Sequence, residues 1–299
     1  MSESEDVKES KMRVAVIGAG TMGGAMAARW LGAHFDVDVW SRGPVPALTD
    51  LGATSHVDVR EAVAKAEIVV TMLPTAEVTV AVMFDAMGFE TMRRNAIWIQ
   101  MATIGPIATD GIEDRVRKQR PDITFIDAPV SGSKGPAVAG QLLILASGDE
   151  ANRPILDQVF AAVGKRTLWL GDVGAGSRMK LILNTWLAFQ IEGAAEAVSL
   201  ASRLGVESSA LLDALGDSPL TSPYALAKLE RMLDANFQPD FSLDLALKDL
   251  DLVGADAGSD AAPIATDIAV RWRHLVANGA SGLDVSAAAM GLTTSGSSK

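Results

Sequence analysis

A glycine-rich turn near the start of the chain restricts the fold more than any other stretch. A short run of β-branched and small apolar residues, 13–17, precedes it, and a helix-compatible segment, 24–31, follows it. The turn itself consists of Gly18, Ala19, Gly20, Thr21, Met22 and Gly23. Strand, glycine turn and helix in this order form the dinucleotide-binding fingerprint, in which glycine lets the backbone approach a pyrophosphate at a helix N-terminus. The alternative is a glycine turn that binds no ligand.

The end of the second predicted strand, 37–40, bears on the choice of nicotinamide cofactor. An NAD enzyme usually carries an acidic residue here for the ribose hydroxyls, whereas this chain has Ser41 and Arg42. A hydroxyl and a guanidinium suit a 2′-phosphate, because both form charge-assisted hydrogen bonds with it. We therefore predict NADP(H) over NAD(H). The alternative for Arg42 is a solvated position in a turn.

Strand and helix patterns alternate as far as about residue 171. Strands are predicted at 67–73, 96–101, 123–127 and 142–146, and helices at 58–65, after Pro74 and at 106–118. From 174 onward only helices are predicted, at 177–204, 208–215, 224–234, 243–257 and 265–278. This pattern predicts an α/β chain, with an N-terminal Rossmann doubly wound sheet followed by an all-helical C-terminal domain. The predicted segments are a disordered tail (1–11), a cofactor domain (12–173), a helical substrate and oligomerisation domain (174–292) and a disordered tail (293–299).

Ligands in doubly wound sheets bind beyond the carboxyl ends of the strands, and two such ends carry informative residues. Leu73 and Pro74 close one strand, and they provide either an apolar wall for the nicotinamide or a simple strand end. Thr103 precedes a helix start that Pro106 signals. It is either a ribose or substrate contact or an N-terminal cap, and the sequence leaves both interpretations open.

A third strand end is followed by a loop of small polar residues. It contains Ser131, Gly132 and Ser133, between Asp127 and the strand at 142–146. Backbone amides and small hydroxyls in such a loop can hold a carboxylate. The alternative is a flexible hairpin connection.

Lys180 and Asn184 lie one turn apart near the start of a long apolar helix, so they share a face. Hydride delivery to a carbonyl leaves negative charge on oxygen, which a lysine can stabilise and protonate. We expect Lys180 to reach a cleft beside the cofactor domain, where partial burial would lower its pKa. The alternative is that Lys180 extends to solvent and Asn184 caps a neighbouring segment.

The helix predicted at 243–257 carries further charged residues on an apolar background. Asp244 and Lys248 are spaced as an ordinary exposed pair one turn apart. The functional alternative is that Lys248 reaches the cofactor while Phe241 and Asp249 form a wall of the substrate pocket. The sequence leaves both alternatives open.

Composition excludes several classes of function. The net charge of −11 argues against nucleic-acid or anionic-membrane partners. The chain has no cysteine and three scattered histidines, so no disulfide and no metal site are expected. The first ten residues lack the pattern of a secretory signal, and no apolar run is long enough to span a membrane. We expect a soluble cytoplasmic protein whose long apolar helix is covered by another copy in a homodimer or homotetramer.

Four blocks of the chain, 18–23, 127–140, 176–184 and 241–250, occur in the order typical of one enzyme family. From 12 to 292 the chain resembles the β-hydroxyacid dehydrogenase family. The resemblance implies that Lys180 is the catalytic acid/base and that Ser131 and Gly132 bind the substrate carboxylate. It also implies that Thr103 and Lys248 lie near the cofactor and that the helical domain mediates oligomerisation.

Within the family, segments 128–134, 164–166 and 179–184 most resemble the glyoxylate/succinic semialdehyde reductase branch, which uses NADPH. Leu183 stands where phosphogluconate dehydrogenase has histidine and many 3-hydroxyisobutyrate dehydrogenases have asparagine. Gln100 and Ala102 stand where relatives commonly have aspartate and serine, and Trp186 adds bulk shortly after Asn184; these departures bear on the substrate and leave the reaction class intact.

The activity that this branch implies is NADPH-dependent reduction of small carboxylate-bearing aldehydes, such as glyoxylate or succinic semialdehyde, to hydroxy acids. The alternatives are oxidation of a 3-hydroxy acid such as 3-hydroxyisobutyrate, with imine reduction as a side activity, and a non-catalytic dehydrogenase-like oligomerisation module.

Overall fold

The computed structural model describes residues 11–292, and the chain divides into two compact units. The first unit ends at Arg178 and the second begins at Met179. The predicted tails at 1–11 and 293–299 lie outside the described residues, except for Lys11. Within residues 11–292, no helix combines the length and the apolar character that crossing a membrane requires.

A nine-stranded sheet forms the centre of the first unit. Its strands are β1 (Arg13–Ile17), β2 (Asp36–Trp40), β3 (Thr54–His56), β4 (Ile68–Thr71), β5 (Ile97–Gln100), β6 (Thr124–Asp127), β7 (Val130–Ser131), β8 (Leu142–Gly148) and β9 (Gly164–Trp169). The order is β3-β2-β1-β4-β5-β6-β8-β7, and β9 pairs with β8. Strands β1 to β6 run parallel, whereas β8 is antiparallel to both β6 and β7. The order 3-2-1-4-5-6 is that of a doubly wound sheet, so the predicted fold class is confirmed.

Helices cover both faces of this sheet. They are α1 (Thr21–Gly32), α2 (Pro46–Asp50), α3 (Val59–Val63), α4 (Ala76–Val80), α5 (Gly88–Thr91), α6 (Pro106–Gln119), α7 (Lys134–Val138) and α8 (Arg153–Val163), with single turns at Ala81–Asp85 and Glu150–Asn152. Alternate residues of β1 enter different hydrophobic clusters: Val14 and Val16 pack with α1 and α8, and Ala15 and Ile17 with α3 and α6. Because both of its faces are covered, β1 is apolar at every position from Val14 to Ile17.

The second unit is helical. It contains most of α9 (Ala175–Leu204), then α10 (Ser208–Gly216), α11 (Pro223–Leu233), α12 (Leu243–Ala257) and α13 (Pro263–Leu275), with shorter turns at Val276–Ala280 and Val285–Ala289. The predicted end of this first helix at residue 204 is confirmed. Gly205 has a φ of +71°, and the N–H of Val206 donates to the carbonyl of Ala201, as in a Schellman motif. These helices share one hydrophobic core.

The structure has several elements that were not predicted, among them β3, β7 and α8. One helix boundary and one further missed strand have identifiable reasons. Helix α13 was predicted to continue to residue 278, but the regular helix ends at Leu275, shortly before Gly279 with its left-handed φ of +98°. Strand β9 was not predicted, because Lys165 and Arg166 interrupt its apolar pattern. Charged side chains of this kind are common on strands at a sheet edge.

Candidate active site

The glycine turn between β1 and α1 has a geometry that other residues do not fit. Gly18 has a φ of +102°, and a Cβ there would overlap the carbonyl oxygen of Met72. A Cβ on Gly23 would overlap the carbonyl oxygen of Gly18. Both glycines are therefore required for the backbone path, independently of any ligand.

The N-terminus of α1 is open to a ligand. Its N-cap residue is Gly20, which has no side chain to bond the free backbone amides, and the first turn contains no acidic residue. A Cβ on Gly20 would meet no atom within 4 Å, so space is available in front of the helix. Thr21 is exposed, Met22 is half-buried and Ala19 is buried. Free amides and the helix dipole favour an anion at this position, so the turn fits the pyrophosphate of a nicotinamide dinucleotide.

The segment after β2 lies beside this turn. The carbonyl oxygen of Trp40 accepts hydrogen bonds from the N–H of Gly18 at 2.9 Å and from the N–H of Ala19 at 3.4 Å. Ser41, which follows, is half-buried, and Arg42 is exposed. The structure therefore brings both predicted phosphate contacts next to the glycine turn.

Strands β4 and β5 end at the same edge of the sheet, so the segments that follow them begin close together. A Cβ on Gly18 would lie 3.0 Å from Cδ2 of Leu73, so Leu73 packs against the glycine turn. Pro74 follows and is exposed. Thr103 is half-buried, two residues before Gly105, which is the N-cap residue of α6 and has a φ of +86°.

The loop after β6 is well packed. Ser131 ends β7 and is paired with Leu143. Gly132 has a φ of +135°, and a Cβ there would lie 2.8 Å from a methyl group of Leu142. Ser133 is the N-cap residue of α7. This geometry gives the predicted carboxylate loop a defined backbone path and disfavours a flexible hairpin.

In the second unit, α9 and α12 bring four predicted residues together. The Lys180 ammonium donates to Oδ1 of Asn184 at 2.9 Å, and Nδ2 of Asn184 donates to Oδ2 of Asp249 at 2.5 Å. The Lys248 ammonium lies 2.8 Å from Oδ1 of Asp249. Asn184 and Asp249 are 7% and 3% exposed, so this contact is shielded from water.

The surroundings of Lys180 favour proton transfer. Burial lowers the pKa of Lys180 below its usual value, the negative charge of Asp249 opposes this shift, and the positive charge of Lys248 adds to it. The Lys180 side chain is half-buried rather than extended into solvent. The arrangement can hold a proton on the Lys180 ammonium and release it near neutral pH more readily than a surface lysine would.

Asp284 was not predicted from the sequence, although it fixes the loop that carries Phe241. It is fully buried, and its carboxylate accepts from the Lys228 ammonium at 2.8 Å and from the N–H of Phe241 at 3.3 Å. The carbonyl of Phe241 accepts from the N–H of Val285 at 2.8 Å. The Asp-Val-Ser sequence from residue 284 is an N-cap signal that could have identified this position.

Two family descriptions match the chain over almost its full described length. Residues 13–171 match the NAD binding domain of 6-phosphogluconate dehydrogenase, and residues 174–292 match the NAD-binding domain of NADP-dependent 3-hydroxyisobutyrate dehydrogenase.

Individual relatives agree with these matches. Glyoxylate/succinic semialdehyde reductase 1 of Arabidopsis thaliana is 32% identical, over 92% of this chain and 96% of its own. 2-Hydroxy-3-oxopropionate reductase of Escherichia coli is 30% identical, over 92% of this chain and 95% of its own. The structure of 3-hydroxyisobutyrate dehydrogenase from Mycobacterium tuberculosis is 27% identical, over 95% of this chain and 100% of its own, with a TM-score of 0.85. The chain therefore belongs to the β-hydroxyacid dehydrogenase family of nicotinamide-dependent oxidoreductases.

Proposed function

We propose that the protein is an NADPH-dependent reductase of small aldehydes that carry a carboxylate, such as glyoxylate and succinic semialdehyde. The contact that carries this proposal is the hydrogen bond from the half-buried Lys180 to Asn184, which is bonded in turn to Asp249. A lysine with a lowered pKa and a fixed orientation is suited to donate a proton to a developing alkoxide.

The chain's residues have separate parts in the reaction. NADPH, when bound, supplies the hydride to the carbonyl carbon. Lys180 donates one proton to the carbonyl oxygen, so that an aldehyde becomes a primary alcohol, and the neutral amine regains a proton from solvent. Asn184 holds the ammonium in one orientation, and Asp249 holds Asn184. Because the lysine must be protonated at the start, the rate of reduction should fall as the pH rises through the pKa of Lys180.

The carboxylate of the substrate is assigned to the loop of Ser131, Gly132 and Ser133. The serine hydroxyls and the backbone N–H groups around Gly132, whose φ is +135°, are donors of the kind that bind carboxylates. Phe241 and Asp249 are proposed to limit the size of the substrate. The similarity to the Arabidopsis glyoxylate/succinic semialdehyde reductase supports this substrate class.

Preference for NADPH is proposed from Ser41 and Arg42, with Leu73, Pro74, Thr103 and Lys248 also near the cofactor. Arg42 is exposed beside the glycine turn, where a guanidinium can pair with a 2′-phosphate. Arg42→Ala should raise the KM for NADPH by about tenfold and leave that for NADH within about twofold. A wild-type preference for NADH would overturn the assignment.

We also propose that the protein is a homodimer or homotetramer and that it acts in the cytoplasm. The second unit exposes apolar side chains along one stripe of α9: Ile182 and Trp186 are each 62% exposed, and Leu200 and Leu204 are 54% and 75% exposed. An apolar stripe of this length is unusual on a monomer. Trp186→Glu should shift the sedimentation coefficient toward that of a monomer, and a wild-type monomer would contradict this part of the proposal. The absence of cysteine suits a reducing compartment.

The experiment that tests the function is a substrate screen with NADPH, following absorbance and identifying the product. Glyoxylate and succinic semialdehyde should be reduced, and matched aldehydes without a carboxylate should react more slowly. No reduction of any carboxylate-bearing aldehyde would overturn the proposal. Faster oxidation of 3-hydroxyisobutyrate with NADP+ would favour the alternative hydroxyacid dehydrogenase, which the similarity to the Mycobacterium tuberculosis structure supports.

A further inference from the structure

A buried chain of polar groups lies under the ends of β4 and β5. The indole N–H of Trp98 donates to the Thr71 hydroxyl at 2.9 Å, and the hydroxyl donates to Oε1 of Gln100 at 2.5 Å. Nε2 of Gln100 donates to the carbonyl oxygen of Ala102 at 3.1 Å. Thr71, Trp98 and Gln100 have no exposed surface, so water does not compete for these bonds.

The direction of these bonds is fixed by chemistry. The Thr71 oxygen already accepts from Trp98, so its own proton is free to donate to Gln100. The carbonyl of Ala102 can only accept. A side chain at position 100 must therefore accept on one side and donate on the other, which a neutral amide does and an ionised carboxylate does not.

The network fixes the two segments, around Leu73 and Thr103, that the proposed function places near the cofactor. Thr71 ends β4 two residues before Leu73, and Ala102 immediately precedes Thr103. The N–H of Met101 also donates to the carbonyl of Thr71 at 3.0 Å. The Gln100 amide therefore ties the turn after β5 to the end of β4.

We propose that Gln100 is a positioning residue that holds the Leu73 and Thr103 segments in the geometry that binds the nicotinamide cofactor, and that its neutral amide makes this geometry independent of pH. The inference rests on the proposed function for the identity of those segments. It concerns cofactor affinity, which is measured without substrate.

The direct test replaces the amide by an isosteric carboxyl. In Gln100→Glu, the protonated side chain can still accept from Thr71 and donate to Ala102. Burial raises the pKa of such a carboxyl, and the buried Asp127, which is paired in register with Gln100 on β6, raises it further wherever Asp127 is ionised. Once ionised, the carboxylate faces the Ala102 carbonyl without a proton to donate, so the turn after β5 is released.

NADPH affinity, measured by fluorescence of the bound cofactor, gives the readout. The ratio of the Gln100→Glu dissociation constant to the wild-type value should be near one at about pH 6 and should rise about tenfold by about pH 9. Ionisation of the cofactor phosphate affects both proteins equally, so its effect on affinity cancels in this ratio. Gln119→Glu, an exposed change of the same type at the end of α6, should keep a ratio near one throughout.

A second variant keeps the proposal testable if the carboxyl impairs folding. Gln100→Met has a similar length and makes neither bond, so it should weaken NADPH binding by about tenfold at every pH. Wild-type affinity in Gln100→Met, or a ratio for Gln100→Glu that does not change with pH, would overturn the positioning role. Failure of the wild-type protein to bind either nicotinamide cofactor would instead overturn the proposed function.

Discussion

Asp249→Asn provides the sharpest test of how the Lys180 site works. The substitution keeps an amide that can bond Asn184 and removes one negative charge. The Asn184 amide separates the Lys180 ammonium from the Asp249 carboxylate by about 6 to 7 Å, given contacts of 2.9 and 2.5 Å on its two sides. At an effective dielectric constant of about 20, Coulomb's law gives about 2.5 kcal/mol, which corresponds to a pKa change of about 2 units.

The sign of the change follows from the surroundings of the lysine. Asp249 raises the pKa of Lys180 against the effect of burial, and Lys248 lowers it. Removing the carboxylate therefore lowers the Lys180 pKa further. Because Lys180 is only partly buried, solvent screening reduces the expected shift to about 1 to 2 units.

The assay is the pH profile of kcat/KM for aldehyde reduction with saturating NADPH. Its descending limb should move to lower pH by about 1 to 2 units in Asp249→Asn. Asp244→Asn is the matched control, because Asp244 lies earlier on α12 and accepts from the Ser281 hydroxyl at 3.1 Å. An unchanged limb in Asp249→Asn, or a limb that moves to higher pH, would refute the electrostatic reasoning.

Two further predictions concern the stability of each unit. Gly18→Ala should abolish NADPH binding and lower the melting temperature, because the new Cβ would overlap the Met72 carbonyl. By contrast, Gly111→Ala, on the open face of α6, should stabilise the protein by about 0.5 to 1 kcal/mol. Asp284→Asn should lower the free energy of unfolding in urea by about 3 kcal/mol at neutral pH, since it removes the nearer of two carboxylates from the buried Lys228 ammonium and leaves that of Asp240 at 4.0 Å. Hydrogen bonds from Lys228 and backbone amides outweigh burial and hold the pKa of Asp284 below its usual value, so this difference should disappear only as the pH falls below about 4. Equal stability of the Asp284 variant at neutral pH would contradict that account.

Much of the order of elements in the first unit could be predicted, because most of the larger elements have their own local signal. The glycine turn, the apolar strands and the proline that begins α6 are visible within a few residues. Strand β9 had no such signal, because its place in the sheet depends on pairing with β8 rather than on its own composition. Long-range pairing is the kind of information that local patterns lack.

In the candidate site, too, some contacts could be predicted from local sequence and others depend on long-range packing. Lys180 and Asn184 could be paired from their spacing on one helix. The bond from Asn184 to Asp249 joins residues that are 65 positions apart, and no periodicity predicts it. In the sequence, Gln100 is visible only as a departure from the family pattern that bears on the substrate. The structure shows that its side chain is buried and bonded to Thr71 and Ala102, so it acts on the turn rather than on a substrate.

Lys180→Ala tests the central claim most directly, through two measurements on one protein. NADPH binding should stay within about twofold of the wild-type value, because the proposed cofactor contacts are on other residues. Turnover of succinic semialdehyde should fall by about 10²-fold to 10⁴-fold, the usual contribution of a positioned general acid. Wild-type turnover in Lys180→Ala with unchanged NADPH binding would show that Lys180 is not the proton donor.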